Sequence, residues 1–282
     1  MTVFHYTITE DRQTIEHLLR EQWQAGKKTV HLMRMAKSVT DENGEPIDWK
    51  LPLFVGTNLT FSFPEAQSTY VPEERGTLNV VFEDEHIVAV VKAAGLSMHP
   101  DRLGQTGTFM NQVMAYIVNQ GGQYAEHIHR LDKGTSGVVL IAKHPIAKGL
   151  FDRMLEKNEI SRKYLAETDG LLKRPRGTIR FSIGKDRHDP SKRVVSISGQ
   201  SAITHFKVID RTADSSFVEA ELETGRTHQI RVHLAHLGHP VKGDTLYDGS
   251  ETEDGHYRLT ATSVAFTHPF TGEAITIEME TK

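Results

Sequence analysis

The apolar residues of this chain come in short runs. The longest clean ones, IVAVV (87–91) and VVLIA (138–142), have the length of a single β-strand. No stretch approaches the roughly 20 apolar residues that a membrane-spanning helix needs. Further runs of strand character are LTFSF (59–63), NVVF (79–82), YLAET (164–168), SAITHFKVI (201–209), FVEAELET (217–224), VAF (264–266) and ITIEME (275–280). In several of them apolar and polar residues alternate, as in a strand with one buried face. Three segments are read as helical. One is 9–23, through Ile15, Leu18, Leu19 and Trp23 after a candidate cap at Thr9. The second is 145–157, with Ile146, Leu150 and Met154 on one face. The third is short, through Ile230, Leu234 and Leu237, and is stopped by Gly238 and Pro240. Many strands with few helices between them predict an α+β fold with a large, mainly antiparallel sheet and flanking helices. Pro64, Pro72 and the charged run 73–76 mark a linker. A small α+β N-terminal domain is therefore expected over 1–70, and the main domain over 78–282.

Composition narrows the function. The chain has 282 residues, of which 38% are hydrophobic and 25% charged, as in a folded water-soluble protein. It has no cysteine, which excludes a disulfide scaffold, a thiolate metal site and a cysteine nucleophile. The first residues lack the basic start and apolar core of a signal peptide, so a cytoplasmic location without membrane contact is expected. The net charge of −4 hides a segregation. Residues 141–200 hold 14 of the 33 Lys and Arg but 7 of the 37 Asp and Glu, a local excess of +7. Within 173–193, eight basic side chains, Arg174, Arg176, Lys185 and Arg187 among them, face only Asp186 and Asp189. A basic strip on an acidic protein suits a polyanion landing in one place, although a solvated charged loop has the same composition. Residues 1–80 carry 8 basic against 11 acidic side chains, a poor phosphate binder on average.

Three segments can carry chemistry. In HIHRLDKGTSGVVLIAK (127–143), Asp132 precedes a buried strand within a loop of small residues. Arg130 lies two residues before it and would keep the carboxylate ionised, a setting for a nucleophile or a base. The same pattern can also be an Asx-turn with a surface Arg partner. In ETGRTHQIRVHLAHLGHP (223–240), Arg226, His228, Gln229 and Arg231 crowd the start of the short helix, where anions are favoured. In SRKYLAE (161–167), Tyr164 stands beside Arg162 and Lys163, where it can stack on a base or simply pack at a sheet edge. The 16 histidines raise a metal site, with His228, His233, His236 and His239 close together. No H-E-x-x-H or other ligand spacing supports it, so no metal is expected. No Walker A, G-x-G-x-x-G or G-x-S-x-G pattern occurs either.

Taken together, these pieces resemble the RluA-type family of RNA pseudouridine synthases. The likeness rests on His129-Arg130-Leu131-Asp132-x-x-Thr135-Ser136-Gly137 with Ala142-Lys143, on Arg162-Lys163-Tyr164, and on Thr224-Gly225-Arg226-x-His228-Gln229-Ile230-Arg231-x-His233. Gly243-Asp244-x-x-Tyr247 and Phe266-x-His268-Pro269-x-x-Gly272-Glu273 add to it, and the likeness spans about 78–282. The chain departs from the family in reading Val91-Lys92-Ala93-Ala94-Gly95 where Asn-Lys-Pro is usual, and Thr260-Ala261 where His-Ala is usual. The N-terminal region resembles, in degenerate form, the small RNA-binding domain of longer members.

The resemblance implies an isomerase that converts uridine in RNA to pseudouridine without a cofactor. It implies Asp132 as the catalytic carboxylate, Tyr164 stacking on the target base, Arg231 pairing with Asp132, and Arg130 filling the gap left by a flipped uridine. His129, Thr135, Lys163, Arg226, His228, Gln229 and Ile230 would hold the nucleotide, and the 173–193 strip the RNA backbone. Ribosomal RNA is the expected substrate, with tRNA as the alternative, and the protein is expected to act as a monomer. Two other classes share features with this pattern. A glycosidase or nucleoside hydrolase would want a second carboxylate that no motif marks here. A non-catalytic RNA-binding protein would need the basic strip but not Asp132.

Overall fold

The computed structural model describes residues 2–63 and 66–279 of the chain, so Pro64 of the expected linker and residue 280 of the expected last strand lie outside it. The first unit is a three-stranded antiparallel sheet of β1 (Thr2–Thr7), β2 (Val39–Thr40) and β3 (Asn58–Phe63), with β3 in the centre. Against it lie α1 (Ile15–His17), which runs on into a wider π-type turn over Leu18–Gln22, and α2 (Lys27–Met35). Phe4, Leu18, Leu19, Trp23 and Phe61 fill the core between them. The helix expected over 9–23 thus begins only at Ile15. Its cap is Thr14, whose hydroxyl accepts the His17 N–H at 3.1 Å, and not Thr9. The chain before it turns at Asp11–Arg12 and is held off the helix because Ile8 and Gln13 bond to the 53–57 segment.

The second unit is one large twisted sheet. Its strands are β4 (Asn79–Glu83), β5 (Ile87–Lys92), β6 (Glu126–His127), β7 (Ser136–Ala142), β8 (Ile160–Asp169), β9 (Arg176–Ile179), β12 (Thr204–Arg211), β13 (Ser215–Leu222), β14 (Leu259–Thr267) and β15 (Ala274–Glu278). A separate hairpin, β10 (Ile183–Lys185) with β11 (Arg193–Val195), projects from the end of the sheet that carries the basic strip. The order is β4-β5-β7-β14-β8-β13-β12-β9, with β6 also on β7 and β15 also on β14. All pairs are antiparallel except the short parallel meeting of β7 and β14, Ser136 with Thr260 and Gly137 with Ala261. That meeting requires glycine. A Cβ on Gly137, whose φ is +118°, would lie 2.1 Å from the Ala261 carbonyl oxygen. It fixes the strand that begins four residues after Asp132.

Both faces of the sheet are covered by helices: α3 (Phe109–Asn119) on one, α4 (Pro145–Glu156) on the other, and α5 (Gln229–His236) beyond β13 on the α3 side. Val88, Val90, Val139 and Ile141 pack toward α3, while Ile87, Ala89, Val138 and Leu140 pack toward α4. This is why 87–91 and 138–142 read as continuous apolar runs rather than alternating ones. No helix among the described residues is long and apolar enough to cross a membrane. The two units share an aromatic seam. His86 stacks on Phe270 at 3.8 Å, His144 on Phe4 at 4.4 Å, and Ile146 and Leu150 join the N-terminal core.

Candidate active site

A cleft of about 540 Å³ opens where the loop before β7, the inner face of β8 and the N-terminal end of α5 converge. Asp132 sits in that loop, which closes through the Thr135 N–H donating to the Asp132 carbonyl at 3.1 Å. One carboxylate oxygen accepts from Arg231 Nη1 at 3.2 Å and lies 3.9 Å from His228 Nε2. Arg231 is 6% exposed and is held on every side. Its Nε and Nη2 donate to the two oxygens of Asp244 at 2.6 and 2.8 Å, a bidentate fork. Its guanidinium carbon lies 5.0 Å from the ring centre of Tyr247 and 4.5 Å from that of Tyr257. Burial alone would lower its pKa, but the hydrogen bonds it donates to Asp244 and the charges around it drive the pKa upward and keep it a cation. Arg231 is thus a rigid post that aims one N–H at Asp132.

His228 enters α5 in a left-handed conformation, φ +58°. Its Nδ1 meets the Tyr247 hydroxyl at 2.8 Å, and that hydroxyl accepts the Arg193 N–H at 2.9 Å. The hairpin β10–β11 is thereby tied to the cleft. Burial lowers the His228 pKa. Lys92, absent from the sequence candidates, is fully buried at the end of β5. Its ammonium donates to the carbonyls of Ala93, Leu96 and Lys133 at 2.9, 2.9 and 3.1 Å and so anchors the residue after Asp132. Burial pushes its pKa down to about 8.

The other expected site residues divide. Arg130 stands exposed at the rim, and no ion pair joins it to Asp132 among the described residues; the partner of the carboxylate is not this neighbour, as local spacing suggested, but Arg231, 99 residues on, as the resemblance implied. Tyr164 lines the cleft from β8, and His129 and Thr135 line it from the loop, Thr135 within 3.2 Å of the Tyr257 hydroxyl. Arg226 lies at the rim and donates through Nε to the Ser201 carbonyl at 3.0 Å. Gln229 lines the cleft but spends its amide as a brace. It accepts from Thr224 and the Arg226 N–H, and donates to the Ile203 carbonyl and Thr204. Ile230 packs into the core. Lys163 points to the opposite face of β8 from Tyr164, 3.7 Å from Glu219. Arg174, Arg176, Lys185 and Arg187 are exposed around β9 and β10, outside the cleft. Asp244, Tyr247 and Tyr257 complete the site from loops far along the chain.

Comparison with known proteins gives the family of the chain. Residues 86–236 match the model of the RNA pseudouridylate synthase family, and residues 2–59 match that of the RluD ribosomal pseudouridine synthase N-terminal domain. An uncharacterized RNA pseudouridine synthase of Bacillus subtilis, YhcT, is 40% identical over 95% of this chain and 90% of its own length. The ribosomal large subunit pseudouridine synthase D of Neisseria meningitidis serogroup A is 33% identical, over 92% of this chain and 72% of its own. In fold the chain is similar to human RNA pseudouridylate synthase domain containing 1, with a TM-score of 0.60 and 24% identity over 74% of this chain and 86% of that one. From the family match and the relatives' identity, this chain belongs to the RluA-type RNA pseudouridine synthases and is an isomerase of uridine in RNA.

Proposed function

We propose that this enzyme acts on ribosomal RNA and that Asp132 is its nucleophile. The observation that carries the role of Asp132 is its carboxylate in the cleft, paired with an arginine that Asp244 and two tyrosine rings hold in place. The ribosomal substrate is supported by the relatives named for the large ribosomal subunit. In the reaction the bond from the sugar C1′ to N1 breaks, the uracil turns, and C1′ bonds to C5. The hydrogen leaves C5 and one is gained at N1, so composition is unchanged and no cofactor is consumed. Asp132 attacks the nucleotide and forms a bond that breaks again when C1′ bonds to C5, which returns the free carboxylate; Arg231 orients it, Tyr164 stacks on the base, and His228 and Arg226 hold the nucleotide. Arg130 at the rim fills the stack that the flipped uridine leaves. The exposed 173–193 strip grips the RNA backbone of a monomeric enzyme.

The test is a pseudouridine map, by carbodiimide labelling, of total RNA from cells with and without the gene. It is repeated with a gene carrying Asp132→Asn, which keeps size but loses charge. Specific sites in ribosomal RNA should vanish in both. Loss confined to tRNA overturns the ribosomal assignment, and sites retained by Asp132→Asn overturn the nucleophile.

A further inference from the structure

Alternation along β8 turns Ile160, Arg162, Tyr164 and Ala166 toward the same side, and Arg162 and Tyr164 both line the cleft. Arg162 is 8% exposed. Among the described residues no carboxylate pairs with it, and its Nε is buried without a hydrogen-bond partner. Glu223, which also lines the cleft, is engaged instead by His205 at 2.6 Å. A cation withdrawn from water without a partner is costly, so such a group is stable only as part of something still to be completed. The loop opposite has made room for it. A Cβ on Gly225 would come within 3.0 Å of Arg162 Nη1, so the guanidinium lies directly against the 223–226 turn.

A second unfilled donor stands in the same wall. His129 is 6% exposed, and its Nε2 accepts the Leu140 N–H at 3.2 Å. The ring proton therefore sits on Nδ1, which has no partner. Two buried donors, one of them charged, both want an acceptor-rich anion. Residues two apart on one strand face stand about 7 Å from each other. A base stacked on Tyr164 thus brings its own sugar–phosphate strand to Arg162.

We propose that Arg162, with the Nδ1–H of His129, is a phosphate receptor inside the cleft that takes a backbone phosphate next to the flipped nucleotide. The inference rests on the nucleotide-binding reading of this cleft but not on the role of Asp132. It separates Arg162 from its neighbour Lys163, whose charge faces the other side of the sheet.

The probes are uridine and uridine 3′,5′-bisphosphate, titrated calorimetrically into the full-length protein. The bisphosphate is expected to bind at least about tenfold more tightly, as a bidentate arginine–phosphate contact allows. In Arg162→Met, which keeps bulk and removes charge, that advantage should fall to about twofold or less. Arg162→Lys, a point charge without the fork, should retain part of it. Relief of the unpaired charge should leave the melting temperature of Arg162→Met equal to wild type or higher. In the unmutated protein the Nε–H resonance of Arg162 should move with the bisphosphate and not with uridine, a readout that needs no variant to fold. No bisphosphate advantage in wild type, an unchanged advantage in Arg162→Met, or a silent Nε–H resonance each overturns the proposal. The same titration on Asp132→Asn should give the wild-type advantage, because the receptor does not depend on turnover. An advantage that persists while Asp132→Asn remains active would remove the nucleophile and leave the receptor standing.

Discussion

Two arginines enter one cleft at nearly equal depth and differ in everything else. Arg231 engages Asp132 and both oxygens of Asp244, and lies against two tyrosine rings. Arg162 has bulk around it and, among the described residues, no carboxylate. The contrast separates what a buried charge does for the fold from what it holds ready for a ligand. The largest expected effect exploits this. Arg231→Met leaves Asp244, 1% exposed, as a buried carboxylate without its cation, which costs about 3–5 kcal/mol of stability. Isomerisation should be lost with it, because Asp132 loses its post. Arg162→Met, of the same chemistry and depth, should cost no stability at all. Urea unfolding of the two variants side by side measures the difference, and equal losses would collapse the distinction.

Much of this was readable in the residues, and the gaps have physical causes. The apolar runs at 87–91 and 138–142 announce central strands, and the pattern around Asp132 marks the reactive loop. Helix α3 was not expected, although Phe109, Met110, Val113, Met114 and Ile117 recur at a helical spacing with Gln112, Tyr116 and Asn119 on the other side. β1 was missed as well: only Thr2, Phe4 and Tyr6 point inward, on a strand of six residues. The partner of Asp132 could be named only through the family likeness, since spacing pointed to the neighbouring Arg130. Tyr257 carries no local signal and acts only because β14 brings the loop before it alongside Arg231. Lys92 ends an apolar run and looks like a strand edge, yet three carbonyls converge on it. The N-terminal unit is acidic overall, and of the basic residues Arg20, Lys27, His31 and Arg34 that gather around a small pocket beside α2, Arg20 and Arg34 are both paired with Glu16.

A smaller effect tests how far the rigidity around Arg231 extends. Tyr247→Phe keeps the ring over the guanidinium and removes the hydroxyl shared by His228 and the Arg193 N–H. Leaving that N–H unpaired should cost about 1–3 kcal/mol, and the hairpin β10–β11 should exchange its amide hydrogens faster. The Arg231–Asp244 fork should remain, so the loss should stay well below that of Arg231→Met. Lys163→Ala probes the other side of β8. Its pair with Glu219 is half exposed and stretched to 3.7 Å, so stability should change by about 0.2–1 kcal/mol or less. Affinity for RNA should stay close to wild type. A loss of bisphosphate binding equal to that of Arg162→Met would mean that the two faces of the strand are not functionally distinct.

The finest effect is a displacement in a titration. Burial first, and then the charge of Arg162, push the pKa of His129 down to about 3, against an ordinary value near 6.5. Between those values the unfolded chain takes up a proton that the fold refuses. Stability from this residue is therefore fully present above about pH 6.5 and is lost as the pH falls toward 3. His86 and His127, each lowered to about 4 chiefly by burial, contribute losses in the same window, so the acid slope of the wild type alone identifies none of them. The difference between wild type and Arg162→Met does. Removing the guanidinium takes away the repulsion and leaves the burial, so the folded pKa of His129 should rise without reaching its ordinary value. The acid loss of stability should become shallower by that part alone. An NMR titration of the imidazole follows the pKa directly, and urea midpoints measured from pH 7 down to 4 follow the linked stability. Were Arg162 already neutralised by an anion within the fold, as Arg231 is, its removal would leave both curves where they stand.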